Sequence, residues 1–180
     1  MANLHSILRM SGALTLAMVL SATALVAAEV TVTLYRSTPN GPGEQIGMVT
    51  ALDTAKGLKL MPNLSGLSEG AHGFHVHQKA NCGPAEKDGA TVPSLAAGGH
   101  FDPKGTGRHA GPNGDGHLGD LPILIVDAQG RATRSSFAPR LKTSDIRGRA
   151  MMIHAGGDNY SDKPKALGGG GKRVACGIIN

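Results

Sequence analysis

The chain has 180 residues, a formal net charge of +5, two tyrosines, three phenylalanines and no tryptophan. Few rings are available to stack on bases and no dense run of Lys and Arg appears, so the composition disfavours a nucleic-acid-binding protein, and we expect no nucleic-acid partner. The mild positive balance is compatible with attraction of a small anion.

The first 28 residues have the pattern of an export signal. Arg9 precedes a mostly apolar run over 13–28, whose end suits a signal-peptidase cut after Ala28. A transmembrane anchor is the rival interpretation, but the run is shorter than the roughly 20 apolar residues that a spanning helix needs. We therefore expect a cleaved signal peptide over 1–28, no membrane span in the mature protein, and one domain over 29–180.

Short alternating segments dominate the chain from residue 29 onward. In EVTVTLYR (29–36), Val30, Val32 and Leu34 alternate with other residues, which is the period-two pattern of a half-buried strand. Further strands are predicted at 46–52, 57–62, 121–127, 131–137, 149–155 and 173–179, and turn signals rich in Gly separate many of them. No segment shows a sustained helical period. The pattern predicts an all-β domain, an antiparallel sandwich or barrel.

Two long segments, 78–120 and 155–172, break this rhythm and are rich in Gly and Pro. Long irregular loops in a compact domain are usually functional or disordered. Six of the seven histidines after residue 28 lie in these loops or at their edges. A disordered segment has no reason to collect histidines, so we interpret both segments as functional loops.

The histidines of the predicted strands form a candidate metal site. In HGFHVH, His75 and His77 share one face of a strand because residues i and i+2 point to the same side. RAMMIHA offers His154 from another strand, and imidazole suits copper, zinc, iron and nickel. His72 is at odd spacing from His75, and we expect it to be hydrogen-bonded to backbone rather than to bind a metal.

The long loop carries a second candidate site. His100, His109 and His117 are followed by Asp120, and three imidazoles with one carboxylate make a closed four-ligand set of the structural zinc type. Each histidine taken singly is more often a surface or hydrogen-bonded residue. The gathering of six of them with Asp120 at loops and strand ends favours metal binding.

The two cysteines, Cys82 and Cys176, are a candidate disulfide pair. An even number of cysteines in an exported chain favours one disulfide over the alternative of two free thiols.

Five motifs together carry a family resemblance. HGFHVH, GGHFDP, GRHAGPNGDGHLGDLP, IHAGGDNYSDKP and GGGGKRVACGII resemble the copper-zinc superoxide dismutases, specifically the exported bacterial type. The resemblance extends over essentially all of 29–180 in consistent order. It implies a Greek-key antiparallel β-barrel or sandwich with two long functional loops, and a periplasmic location.

The resemblance also implies roles for individual residues. Copper would be bound by His75, His77, His100 and His154, and zinc by His100, His109, His117 and Asp120, with one copper and one zinc per chain. Asp158 would link a copper histidine, His75, to a zinc histidine, His109. Cys82 and Cys176 would form the family disulfide. Arg173 and His100 would be the catalytic residues, Arg173 lining the approach to copper and His100 bridging the two metals.

The implied activity is dismutation of superoxide to dioxygen and hydrogen peroxide, through alternate reduction and reoxidation of the copper. Zinc has no redox chemistry and would hold the loop and the bridge. The alternative is an exported copper- and zinc-binding protein without catalytic activity, which would have no need of Arg173. The sequence leaves monomer and homodimer open.

Overall fold

The computed structural model describes residues 27–180, which fold mainly into β-strands. The predicted signal peptide, apart from its last two residues, lies outside the described residues. No helix within 27–180 is long and apolar enough to cross a membrane. The strands are β1 (Glu29–Thr38), β2 (Gly41–Thr54), β3 (Gly57–Leu64), β4 (Gly70–His72), β5 (Phe74–His77), β6 (Ala85–Lys87), β7 (Ala90–Val92), β8 (Leu124–Val126), β9 (Ser136–Ala138), β10 (Arg149–His154) and β11 (Arg173–Ile179). One α-helical turn, α1 (Thr143–Ile146), and 3₁₀ segments at Leu95–Ala97 and Leu167–Gly169 complete the described elements.

The strands follow a Greek-key order. Seven of them form one antiparallel sheet in the order β5-β10-β11-β1-β2-β3-β9. β4 pairs with β8 in a second small sheet, and only Gly73 separates β4 from β5. After β3 the chain therefore does not add the next strand beside β3. It crosses to β4, in the small sheet, and then to β5 at the opposite edge of the large sheet. The predicted Greek-key antiparallel β fold is confirmed.

The main core lies on the inner face of this curled sheet. Val32 and Leu34 of β1 are fully buried while Thr31 and Tyr35 are exposed, so the alternation seen in the sequence is the alternation of the structure. Burial of each such aliphatic side chain stabilises the fold by about 1.5–3 kcal/mol.

A second, smaller cluster lies outside the main core and explains the continuous apolar run of β10. Met152 and Ala150 pack there with Ala97 and the two cysteines, Cys82 and Cys176. Cys82 and Cys176 form a disulfide across 94 residues of sequence, which confirms the predicted pair. The long loop is therefore fastened covalently to β11 and by apolar packing to β10.

Three local expectations are wrong in extent. The strand predicted at 131–137 is reduced to β9, preceded by an isolated bridge between Leu64 and Ala132. The strand predicted at 121–127 contains only Leu124–Val126, since Pro122 has no amide hydrogen to donate to a ladder. The segment predicted as irregular contains the hairpin β6–β7, whose turn residues Asp88 and Gly89 both have positive φ. Asp-Gly is a preferred pair for such a turn.

Candidate metal centre

Two neighbouring strands supply three buried histidines. His75 and His77 lie on β5, and His154 ends β10, its partner strand. Phe74 and Val76, which alternate with the histidines, belong to the main core. The imidazoles therefore occupy the face of β5 opposite the core, as the i, i+2 spacing predicted. We call His75, His77 and His154 the strand cluster; each is at most 6% exposed.

The long loop runs along the free edge of β5. The amide of Val76 donates to Gly119 O, and the amide of Phe101 donates to Val76 O, both at 2.8 Å. Isolated bridges pair His77 with His100 and His75 with Asp120. A side chain at Gly119 would collide with the Val76 carbonyl, so glycine is required for this close approach. His100 and Asp120 are thus placed by backbone pairing with β5.

The remaining loop residues gather around the Asp120 carboxylate. Oδ1 of Asp120 lies 3.0 Å from His100 Nδ1 and 3.5 Å from His117 Nδ1, while Oδ2 lies 3.0 Å from His109 Nδ1. Oδ2 also accepts from the amides of Ala110 and Gly111 at 3.1 and 3.2 Å. We call His109, His117 and Asp120 the loop cluster; all three are buried.

Hydrogen bonds to one ring nitrogen leave the other nitrogen of each histidine of the strand cluster available. Nδ1 of His77 donates to Gly98 O at 2.9 Å, and Nδ1 of His154 donates to Gly171 O at 3.1 Å. Their Nε2 atoms are then unprotonated in the neutral rings and lie 3.4 Å apart. His75 has the opposite arrangement, with Nε2 donating to Asp158 Oδ2 at 2.8 Å and Nδ1 left without a partner.

Asp158 connects the two clusters. Its Oδ2 accepts from His75, and its Oδ1 accepts from His109 Nε2 at 2.7 Å. Gly168, at φ +68°, packs so closely over this carboxylate that a side chain there would collide with it. One carboxylate from the second loop therefore orients a histidine in each cluster, as expected for a residue that supports metal ligands.

The donor atoms fit two metal ions. His75 Nδ1, His100 Nε2, His109 Nδ1 and His117 Nδ1 are buried without a hydrogen-bond partner, although buried polar atoms are normally paired. The separations of 3.0–3.5 Å around Asp120 bracket the ~3.3 Å expected between ligands of a tetrahedral ion with metal–ligand distances of roughly 2.0–2.1 Å.

The donor atoms form two compact groups that share two histidines. Within each group all donor atoms lie within 4.8 Å of one another. One group contains His75, His77, His100 and His154, and the other contains His75, His100, His109 and Asp120. His117 is outside the second group, although its Nδ1 lies 3.5 Å from Asp120 Oδ1. His75 has its Nε2 committed to Asp158, so its free Nδ1 belongs with the strand cluster. Four imidazoles suit copper, and three imidazoles with a carboxylate suit zinc.

The electrostatics of the clusters differ. Burial lowers the pKa of His75 to about 3 and that of His154 to about 4, and it lowers the pKa of His77 well below its usual range. Burial also acts against the charged form of His109, but the nearby carboxylates of Asp120, 3.0 Å from Nδ1, and Asp158, which accepts from Nε2, raise its pKa to about 9. Bonds and charges from His100 and His109 outweigh burial and hold the pKa of Asp120 below its usual range.

Arg173 lies beside the strand cluster. Its guanidinium donates to Ser94 O and to Gly98 O, each at 2.6 Å, and the same Gly98 carbonyl accepts from His77. Arg173 is half-buried, and burial lowers its pKa from the usual value. Gly98, which lies in the segment closed by the Cys82–Cys176 disulfide, thus orients both His77 and Arg173 through its carbonyl.

Sequence reasoning did not identify three residues that hold the loop cluster. Arg140 bonds to the loop carbonyls, Asp162 Oδ2 accepts from the His109 amide at 2.9 Å, and the Tyr160 hydroxyl accepts from the Ile123 amide at 3.0 Å. Tyr160 and Asp162 lie in the motif IHAGGDNYSDKP, but that motif was used only to assign His154 and Asp158, and Arg140 lies in none of the quoted motifs. His72 is hydrogen-bonded as expected, with Nδ1 2.6 Å from His154 O and Nε2 2.8 Å from Ser68 O.

A Greek-key β fold with two buried donor groups that share a histidine defines a class of two-metal protein. The copper/zinc superoxide dismutase (SODC) family model matches residues 45–179. The Cu-Zn superoxide dismutase of Escherichia coli (strain K12) is 53% identical over 159 residues, which cover 88% of this chain and 92% of that protein. This chain belongs to the copper/zinc superoxide dismutase family, so the resemblance is confirmed.

Solved structures agree with this assignment. Cu/Zn superoxide dismutase from Brucella abortus is 51% identical, with a TM-score of 0.84 over 85% of this chain and 100% of that one. The solution structure of the monomeric copper, zinc superoxide dismutase from Salmonella enterica is 52% identical, with a TM-score of 0.77 over the same shares.

Proposed function

We propose that this chain dismutates superoxide to dioxygen and hydrogen peroxide, with copper bound by the strand cluster and His100, and zinc bound by the loop cluster and His100. The observation that carries the proposal is the position of His100. It belongs to both compact donor groups, with Nδ1 3.0 Å from Asp120 and Nε2 buried and free of hydrogen bonds. Such a ring is suited to bridge two ions.

The chemistry that copper supplies when bound is one-electron exchange with two successive superoxide anions, the first leaving as dioxygen and the second, with two protons, as hydrogen peroxide. His100 would take up a proton from water at Nε2 in one half of this cycle and give it to the departing peroxide in the other, and the second proton of the peroxide would come from water. Nδ1 of His100 lies 3.0 Å from Asp120 Oδ1, so the two atoms are placed to bind the same zinc ion.

Arg173 favours catalysis over metal storage alone. Superoxide is a small anion with little to recognise beyond charge and size, so a fixed cation beside the metal raises its local concentration. The guanidinium is held by two carbonyls and lies within electrostatic range of His77 and His154, whose pKa values it helps to lower after burial. A protein that only stores copper and zinc gains nothing from this arrangement.

Metal analysis combined with a superoxide-decay assay tests the proposal. We expect one copper and one zinc per chain and catalysed loss of superoxide. Replacement of zinc by Co²⁺ tests the bridge, because an imidazolate shared through His100 couples the two ions and suppresses the copper EPR signal. A protein that binds zinc alone and leaves superoxide decay unchanged would instead be the non-catalytic binding protein.

We also propose that residues 1–28 direct export of the chain to the periplasm and are removed by cleavage after Ala28. Support comes from the apolar run in the sequence and from the bacterial relatives. N-terminal sequencing of the protein from a periplasmic fraction should begin at Glu29. Monomer and homodimer stay open, and sedimentation of the purified protein at several concentrations distinguishes them.

A further inference from the structure

One arginine gathers the carbonyls of the turn that carries His109 and His117. Arg140 Nε donates to Pro112 O at 3.0 Å, Nη1 donates to Gly116 O at 3.2 Å, and Nη2 donates to Gly111 O at 3.1 Å and to His117 O at 2.6 Å. The acceptors come from both limbs of the turn, so one planar group closes it.

The chemistry of the guanidinium suits this task. It presents five N–H donors in a rigid plane, and all four acceptors that it contacts are backbone carbonyls. Carbonyl oxygens in an irregular segment have no neighbouring strand or helical turn to supply N–H donors, so they need donors from elsewhere. A lysine ammonium has three donors at one point and cannot reach all four oxygens.

Arg140 is anchored on the barrel. It follows β9, which pairs with β3, and its neighbours Ala138 and Leu141 are 2% and 1% exposed. The Leu141 amide donates to Ala138 O at 3.3 Å, which folds the backbone back at this point. The arginine therefore extends from a rigid part of the molecule to an irregular one.

The turn has little regular structure of its own. Its limbs are joined by a backbone hydrogen bond from the His117 amide to Arg108 O at 2.8 Å. Asp120 contacts His109 and the two amides that follow it. Further contacts to His109 come from Asp158 and Asp162 of the equally irregular second loop. The bond from Arg140 to His117 O acts on the backbone of a candidate zinc ligand itself, on the side facing the barrel.

We propose that Arg140 is a positioning residue for zinc: it holds the 109–117 turn in the shape in which His109 and His117 point at Asp120. The inference rests on the proposed zinc site. Arg140 touches none of the candidate donor atoms, so its effect passes through the backbone of the turn. Loss of such a supporting residue typically costs about 10–100-fold in metal affinity.

The test measures zinc affinity by chelator competition in wild type, Arg140→Met, Arg140→Lys and the control Arg134→Met. Arg134 is an exposed arginine that precedes β9 in the sequence and makes no hydrogen bond to the turn, so its loss removes the same charge without affecting the turn. Copper affinity, the thermal midpoint of the metal-free protein and the visible spectrum of Co²⁺ in the zinc site are measured on the same samples.

We expect Arg140→Met to weaken zinc binding by about 10–100-fold and to shift the Co²⁺ bands, with copper affinity and the metal-free midpoint near wild type. The zinc affinity of Arg140→Lys should lie between those of wild type and Arg140→Met, because lysine keeps the charge and some of the hydrogen bonds. If Arg140→Met does not fold, the lysine variant decides by the same criteria.

Two results overturn the inference while leaving the zinc site intact: equal zinc affinity in Arg140→Met and Arg134→Met, or parallel losses of zinc affinity, copper affinity and the metal-free midpoint. The second pattern would show a general stabilising role. If wild type itself binds no zinc with these residues, the proposed function fails together with the inference.

Discussion

The strand cluster and the loop cluster lie side by side but are held in different ways. His75, His77 and His154 stand on two hydrogen-bonded strands whose other faces form the core. His109 and His117 stand on an irregular turn that depends on side chains for its shape. Asp120 is intermediate, since its backbone pairs with β5. The first cluster inherits its geometry from the sheet, and the second is assembled by individual contacts.

This difference assigns different sensitivities to the two sites. Displacing a histidine of the strand cluster requires disruption of the sheet, so we expect its geometry to persist without metal. The loop cluster depends on a few hydrogen bonds, each worth about 0.5–3 kcal/mol. Damage to these bonds should therefore appear in zinc binding before it appears in copper binding or in the fold.

The largest expected effect comes from breaking the link between the loop and the sheet. Replacing Cys82 and Cys176 by Ser opens a connection that spans 94 residues. In the chain-entropy model this lowers the free energy of unfolding by about 4–5 kcal/mol, measured by urea unfolding. Dismutase activity should also fall, because Gly98 O, which holds both Arg173 and His77, lies in the freed segment.

Loss of the disulfide tests whether the sheet alone holds the strand cluster, because it weakens the contact between Gly98 O of the long loop and His77. Copper affinity in the double variant should fall as well. Reduction of the wild-type disulfide should reproduce both effects, which separates loss of the bond from loss of the sulfur atoms. An unchanged unfolding midpoint would contradict the assigned contribution of the disulfide.

The next effect concerns Asp158, the carboxylate shared by the clusters. His75 and His109 donate to different oxygens of Asp158, and Asp158→Asn turns one of these oxygens into an NH2 group that cannot accept, so one of the two bonds is lost. We expect zinc affinity to fall by about 10–100-fold, measured by chelator competition. Copper affinity should fall less, because β5 still places His75.

Glu69→Gln is the matched control for this change. Glu69 is an exposed carboxylate that precedes β4 and lies outside both long loops. Its substitution removes the same charge without altering either histidine or the 109–117 turn, and zinc affinity should stay near wild type. Equal losses of zinc and copper affinity in Asp158→Asn would refute the idea that the sheet protects the strand cluster.

The pH dependence of metal binding should differ between the sites. The carboxylates of Asp120 and Asp158, acting against burial, raise the pKa of His109 to about 9, so below that pH zinc must displace a proton. Zinc affinity should then rise about tenfold per pH unit up to about pH 9. Burial holds His75 and His154 uncharged, with pKa values of about 3 and 4, so copper affinity should be nearly flat above about pH 5.

Titrations of the metal-free protein with each ion at several pH values check this difference. Parallel slopes for zinc and copper would contradict it. His109→Gln does not serve here, because it removes a candidate ligand. The Asp158→Asn variant sharpens the measurement instead, since loss of one carboxylate should lower the His109 pKa and flatten the zinc slope.

The sequence predicted the strands and the grouping of donors better than it predicted what supports them. The alternation in β1 marks its buried face directly, and the H-x-H spacing places His75 and His77 on one side of β5. The loop ligands could be grouped as a candidate zinc set from their residue types, and the family motifs gave the same set. No local periodicity predicts how His109 and His117 reach Asp120. Their roles as ligands stay predictions until metals are measured.

The supporting residues lay beyond sequence reasoning for a physical reason. Arg140 is 23 residues from His117, and Asp162 is 53 residues from His109. Their partners are backbone atoms, which every residue possesses, so no residue pattern marks the contact. The strand predicted at 131–137 failed similarly, because pairing with β3 is confined to Ser136–Ala138 and the bridge at Ala132.

The smallest expected effect concerns Arg173, where a loop contact serves the copper side. Arg173→Ala should leave copper and zinc content intact, because both guanidinium bonds go to carbonyls and none to a histidine. The rate of superoxide loss should fall by about tenfold, and its dependence on ionic strength should weaken, since steering by charge is screened by salt.

Rates at low and high ionic strength for wild type, Arg173→Ala, Arg173→Lys and Arg134→Ala measure this effect. The lysine variant keeps the charge and should retain most of the salt dependence, while the exposed control should resemble wild type. A rate unchanged in Arg173→Ala would refute the steering role. A loss of copper in that variant would show that Gly98 O needs Arg173 to hold His77, and the loop would then support the strand cluster more than the sheet alone implies.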